Sequence, residues 1–80
     1  MMKQVILYTK ANCPLCDEAK TLLELLQTDY SFSIEERDIY SNDSWLETYQ
    51  LTIPHIVIGE TEFDCRSIQL DVMEEALLKT

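Results

Sequence analysis

Lys3-Gln4-Val5-Ile6-Leu7-Tyr8-Thr9 runs directly into Lys10-Ala11-Asn12-Cys13-Pro14-Leu15-Cys16, and that passage decides the fold. Its first seven residues are apolar and rich in strand formers without strict alternation, which predicts a strand buried on both faces. Residues 10–13 read as a loop. From Pro14 to about Gln27 the pattern becomes helical. Leu15, Ala19, Leu22, Leu23 and Leu26 fall within about a 100° arc, and Asp17, Lys20, Thr21 and Glu24 take the opposite side. Proline suits the first helical position, where its missing N–H is an orphan in any case, so Cys13 becomes the N-cap.

Working outward, Ser31–Asp38 alternates Phe32 and Ile34 against polar residues and predicts a second strand. Ser44-Trp45-Leu46-Glu47 has capping-box form and opens a short helix to about Gln50. His55–Gly59, preceded by Pro54, predicts a third strand. A tight turn near Gly59–Thr61 returns the chain as a fourth strand, Glu62–Cys65. Residues from about Gln69 to Leu78 are helical, with Leu70, Val72, Met73, Ala76 and Leu77 available for burial. The order is β-α-β-α-β-β-α. A helix between the first two strands makes them parallel, with a right-handed crossover, and the last two strands form a hairpin. The expectation is a single α/β domain over residues 1–80, a four-stranded mixed sheet covered by helices.

Composition narrows the function classes. Eighty residues make one small domain, and 46% hydrophobic types suffice for a core. Six Lys and Arg against fifteen Asp and Glu give a net charge of −9, which argues against nucleic acid or an anionic membrane as partner. No apolar run approaches the ~20 residues that span a bilayer. The N-terminus lacks a signal-peptide pattern, and three cysteines are an odd number for a secreted disulfide scaffold. A cytoplasmic protein with mostly reduced thiols is expected.

Cys13-Pro14-Leu15-Cys16 carries the chemistry. A helix N-terminus offers partial positive charge and free N–H groups, so a thiolate at Cys13 is favoured there. Lys10 could add to this effect, and Asp17 and Glu18 oppose it. Cys16 lies one turn in, close enough for a disulfide. The roles that follow are attack by Cys13 and resolution by Cys16. Two other classes stand beside this one. A metal or iron–sulfur module could use Cys13 and Cys16 across a dimer, or with Cys65 and His55. A redox-inert interaction domain could simply keep the fold. Taken alone, His55 reads as a packed or surface residue, Cys65 as a small hydrophobe or secondary thiol, and Trp45 with Tyr49 as helix cover.

Leu7-Tyr8-Thr9-Lys10-Ala11-Asn12-Cys13-Pro14-Leu15-Cys16 resembles the active-site segment of glutaredoxins, and Thr52-Ile53-Pro54 resembles that family's segment ending in a cis proline. Cys16-Asp17-Glu18-Ala19 is similar to the small bacterial glutaredoxin-like group. The resemblance implies a thioredoxin-like fold and a monomeric, cytoplasmic thiol–disulfide oxidoreductase with Cys13 and Cys16 as its redox disulfide and no bound cofactor or metal. It implies that Lys10 contacts a substrate carboxylate, that Ile53 offers backbone hydrogen bonds to the substrate, and that Pro54 shapes the site. Substrates would be disulfide-containing proteins or small thiols, with glutathione or a thioredoxin reductase as electron source. The glutathione-using members carry Gly-Gly after the fourth strand. This chain has Asp64-Cys65-Arg66 there and a single glycine, Gly59, so weak glutathione activity is expected unless Arg66 pairs a glutathione carboxylate.

Overall fold

The computed structural model describes residues 3–80. Strand β1 (Lys3–Thr9) is followed by helix α1 (Pro14–Leu26), strand β2 (Phe32–Asp38), a 3-10 turn at Ile39–Ser41 and helix α2 (Asp43–Tyr49). Strands β3 (His55–Ile58) and β4 (Thr61–Phe63) and helix α3 (Leu70–Lys79) complete the chain. The four strands form one sheet in the order β2-β1-β3-β4. β1 runs parallel to β2, with Val5 opposite Ile34, and antiparallel to β3, with Val5 opposite Ile58 and Tyr8 opposite His55. β3 and β4 form the expected hairpin. Ile58 pairs with Thr61, so the loop is Gly59-Glu60, and Gly59 supplies its positive φ of 60°.

The pleat separates two chemistries. Val5 and Leu7 of β1, Ile56 and Ile58 of β3, Phe32 and Phe63 point into one core. Ala19, Leu23 and Leu26 of α1 and Met73, Ala76 and Leu77 of α3 close over it. Burial of that apolar surface, at roughly 25 cal/mol per Å2, is the main force holding both helices to the sheet. The other face carries Tyr8, over which α2 lays Tyr49 and Trp45. Tyr49 stacks on Tyr8 with ring centroids 3.9 Å apart, and Trp45 meets it edge-on at 5.9 Å. The helix-cover reading of this pair therefore holds.

Several local expectations are corrected. α2 is capped by Asn42, whose side-chain oxygen accepts from the N–H groups of Ser44 at 2.9 Å and Trp45 at 3.2 Å. Ser44 itself lies inside the helix. The 3-10 turn before it was not signalled by any periodicity. There the Asp38 carboxylate accepts from the Tyr40 N–H at 2.9 Å, and Ile39 becomes fully buried. Leu15, assigned to the inward face of α1, is 59% exposed, and Cys16 fills the buried position of that first turn. The buried stripe of α1 runs through Cys16, Ala19, Leu23 and Leu26, and Leu15 falls to one side of it. Leu70, at the start of α3, is 36% exposed, while Met73, Ala76 and Leu77 form the buried stripe of that helix. β4 begins at Thr61 and ends at Phe63, because Asp64 turns the chain away from the ladder.

Candidate active site

β1 ends at Thr9, and the chain must reverse within four residues to start α1. Asn12 does this with a φ of 57°, a left-handed conformation that asparagine tolerates better than most side chains. Cys13 then takes the extended backbone of an N-cap, φ −119° and ψ 100°. Its Sγ accepts a hydrogen bond from the Cys16 N–H at 3.1 Å, while its carbonyl accepts the first helical bond from the Asp17 N–H at 3.1 Å. Pro14 occupies the first turn, as its missing donor permits.

Cys13 and Cys16 are joined as a disulfide with Cα atoms 5.2 Å apart, inside the range that such a bridge accepts without backbone movement. Cys13 is 9% exposed and Cys16 2%. Both residues are thus buried, with Cys13 the less covered of the two. Cys65 is a free thiol, half-buried.

The sheet register brings a distant segment to the same place. Tyr8 and His55 are partners across β1 and β3, so Pro54 adjoins the end of β1 where the cysteine loop departs. The Ile53–Pro54 peptide bond is cis, and Pro54 is buried. Pro54 lines one small cleft together with Leu15 and Ala19 of α1. The loop carrying Pro54 is tied to the segment after β4 by a bond from the Cys65 N–H to the Thr52 carbonyl at 3.0 Å.

The other proposed binding positions differ in what they offer. Lys10 is exposed, and no carboxylate pairs with it among the described residues. The Ile53 N–H is already bonded to the Tyr49 carbonyl at 3.1 Å, closing the end of α2. Of that residue's two backbone groups, only the carbonyl is without a backbone partner among the described residues. Arg66 is exposed in a turn organised by Asp64. The Asp64 carboxylate accepts from the N–H groups of Arg66 at 2.9 Å and Ser67 at 3.1 Å. The Arg66 N–H above all holds the Asp64 carboxyl below the usual carboxylate range.

Beside Trp45, Tyr49 and His55, which pack as expected, stands Arg37, which no sequence pattern singled out. Arg37 of β2 donates to the Tyr8 hydroxyl at 2.9 Å and lies over the rings of Tyr8 and Trp45. Its guanidinium also pairs with Glu35. The hydrogen bond to Tyr8, with burial behind it, pushes the Tyr49 hydroxyl up to about 12. His55 packs on Tyr49 and meets Glu62 at 2.8 Å and Thr52 at 3.5 Å. It is a packed residue, as its position alone had suggested. The signal for Arg37 was available only after pairing β1 with β2, which sets Tyr8 beside it. Among the described residues no three His, Cys, Asp or Glu side chains converge on a point where they could hold a metal ion.

The sequence profile of the Glutaredoxin-like domain (DUF836) matches residues 4–78, nearly the whole chain. The chain belongs to the glutaredoxin-like domain family. Solved structures agree on the fold. The solution structure of protein Ne2328 from Nitrosomonas europaea is 24% identical, with a TM-score of 0.80 over 96% of this chain and 93% of that one. A malarial protein is 17% identical, with a TM-score of 0.70 over 99% and 97%. A mutant of the thioredoxin-like protein BC3987 is 22% identical, with a TM-score of 0.65 over 92% and 97%. At these identities the likeness speaks for the fold, and the expected thioredoxin-like architecture of this glutaredoxin-like chain stands. Its paired cysteines are compatible with redox chemistry.

Proposed function

We propose that this chain is a dithiol thiol–disulfide oxidoreductase that reduces disulfides of other molecules. The observation that carries the reading is the Cys13 sulfur at the N-cap of α1, receiving the Cys16 N–H at 3.1 Å. An N–H donor and the positive end of a helix stabilise a thiolate at that atom. The Cys13 thiolate attacks one sulfur of a substrate disulfide, and the other sulfur leaves as a thiolate with the electron pair. The Cys16 thiolate then attacks Cys13, closes the Cys13–Cys16 disulfide and releases the second substrate thiolate. The substrate gains two electrons and the protein loses two.

Two external thiols, such as two glutathione molecules, or the dithiol of a thioredoxin reductase, return those electrons and become oxidised. No bound cofactor or metal is needed for any step. Lys10 would meet a substrate carboxylate, the Ile53 carbonyl would accept a hydrogen bond from an extended substrate backbone, and Pro54 would shape the floor between them. A reducing cytoplasm suits a protein whose third cysteine is kept as a thiol, and the monomer contains both cysteines it needs.

The test is reduction of insulin disulfides, with either glutathione plus its reductase or thioredoxin reductase as electron source. Wild-type protein turns over with one of them. Cys13→Ser has no activity, and Cys16→Ser accumulates a mixed disulfide at Cys13. Activity retained by Cys13→Ser would overturn the assignment.

A further inference from the structure

The proposed reaction gives the Ile53 carbonyl and Pro54 to the substrate, so the place of their loop relative to Cys13 matters. The donors of that loop converge on one atom. The Tyr49 carbonyl accepts from the N–H groups of Thr52 at 2.9 Å and Ile53 at 3.1 Å, and from the Thr52 hydroxyl at 3.3 Å. The loop therefore hangs from the last residue of α2. That helix has seven residues, none of them fully buried, and a helix so short does not hold its shape alone. Tyr49 ties its end to the sheet. The Tyr49 ring lies on Tyr8 with centroids 3.9 Å apart and planes 23° from parallel, and His55 packs against it at 4.7 Å. Tyr8 is itself 5% exposed. Arg37 fixes it twice, donating to its hydroxyl at 2.9 Å and lying 5.6 Å from its ring centroid. The same guanidinium pairs with Glu35 and stands 5.2 Å from the Trp45 ring.

We propose that Arg37, Tyr8 and Tyr49 form one positioning stack for the substrate-facing loop. Arg37 sets Tyr8, the Tyr8 ring sets Tyr49, and the Tyr49 carbonyl sets where Ile53 and Pro54 stand. The inference rests on the oxidoreductase reading and adds to it the residues that govern substrate affinity from behind the site. The dithiol is carried separately by α1, whose Ala19 and Leu23 sit in the core. Disturbing the stack thus shifts the loop and leaves the Cys13 sulfur with its N–H donor. A misplacement of about 1 Å can cost about a hundredfold in a positioned reaction, so partial loosening is expected to weaken substrate binding about tenfold. Binding lost equally from the ground state and the transition state raises KM and spares kcat.

The experiment measures kcat and KM for insulin disulfides at saturating electron donor, beside the iodoacetamide rate of reduced Cys13, on variants shown to be folded by urea unfolding. Tyr49→Leu keeps apolar bulk and loses the ring. It raises KM about tenfold, while kcat and the alkylation rate stay within about twofold of wild type. Tyr49→Phe keeps the ring and with it the wild-type KM. Arg37→Met keeps the length of the side chain, loses the guanidinium and raises KM as Tyr49→Leu does. Combining the two adds little, because both act on one stack. Tyr8→Phe deletes only the hydroxyl, leaves the packing in place and raises KM about threefold, the worth of a modest hydrogen bond. It serves where the larger changes unfold the chain. An unchanged KM in folded Tyr49→Leu and Arg37→Met, or in Tyr8→Phe, overturns the stack alone. So does Cys13 alkylation that slows in step with turnover, which would place the effect at the thiolate. Wild-type protein that reduces insulin with neither glutathione nor thioredoxin reductase overturns the oxidoreductase reading and the stack with it.

Discussion

The Cys16 N–H points at the Cys13 sulfur from one helical turn away, 3.1 Å between heavy atoms. Under the proposed oxidoreductase reading, that one backbone donor serves the atom that carries negative charge, and it belongs to the residue that displaces the substrate from it. Both cysteines belong to the start of α1, which Ala19 and Leu23 hold against the sheet.

After reduction, Cys13 is expected to react with iodoacetamide at pH 7 about tenfold faster than Cys16 or Cys65, because the thiolate is the nucleophile. Cys65 is the more exposed thiol, so the comparison separates thiolate character from mere access. Timed alkylation followed by peptide mass spectrometry gives the order. Cys65 labelling first would contradict the assigned roles.

Asn42→Ala should destabilise the protein by about 1 kcal/mol, the usual cost of a lost N-cap, because Asn42 satisfies two N–H groups at the start of α2. Ser44→Ala should be nearly neutral, within about 0.5 kcal/mol. Urea unfolding of the two variants checks which residue is the cap.

The raised hydroxyl of Tyr49 makes stability depend on pH at the alkaline end. The bond to Tyr8 and burial favour the neutral phenol in the folded state, with a value of about 12 against 10.0 for a free tyrosine. A group whose value rises on folding contributes fully below the unfolded value. That contribution fades as pH rises from about 10 to about 12. Tyr49→Phe should flatten this part of the stability curve. Absorbance at the phenolate band should show one of the four tyrosines titrating last, and it should be missing from the variant.

Leu23 is completely buried between α1 and the sheet, whereas Leu25 on the same helix is 53% exposed. Leu23→Ala should cost about 2–5 kcal/mol through lost transfer energy and the cavity left behind, and Leu25→Ala less than about 0.5 kcal/mol. Denaturant midpoints measured with the disulfide closed distinguish the two.

Turnover of a glutathione mixed disulfide is expected to be weak compared with a protein disulfide, and unchanged by Arg66→Ala. The segment after β4 is a turn tied down by Asp64, without glycine to let a ligand backbone approach. Robust glutathione turnover that collapses in Arg66→Ala would show that an arginine had replaced the missing glycines.

What the sequence by itself determined was everything governed by neighbours in the chain. Strand β1, the proline-led start of α1, Cys13 at the cap and the β3–β4 hairpin follow from local sterics, periodicity and turn chemistry. These act over a few residues, and the order of elements then confines the topology. Tertiary structure alone decided which caps and faces were used. Asn42 displaced Ser44 as cap because the chain leaving Asp38 winds through a 3-10 turn that buries Ile39. Leu15 became a surface residue because the stripe of α1 that meets the core runs through Cys16 and Ala19 instead. The pairing of Tyr8 with His55 and with Arg37 is a matter of register between segments about thirty to fifty residues apart. No local pattern encodes that register, and it is fixed by the one alignment that buries Val5, Leu7, Ile56 and Ile58 together. The same alignment brings Pro54 and the segment at Cys65 to the Cys13–Cys16 turn, so the cleft beside Leu15 exists only once the sheet has formed.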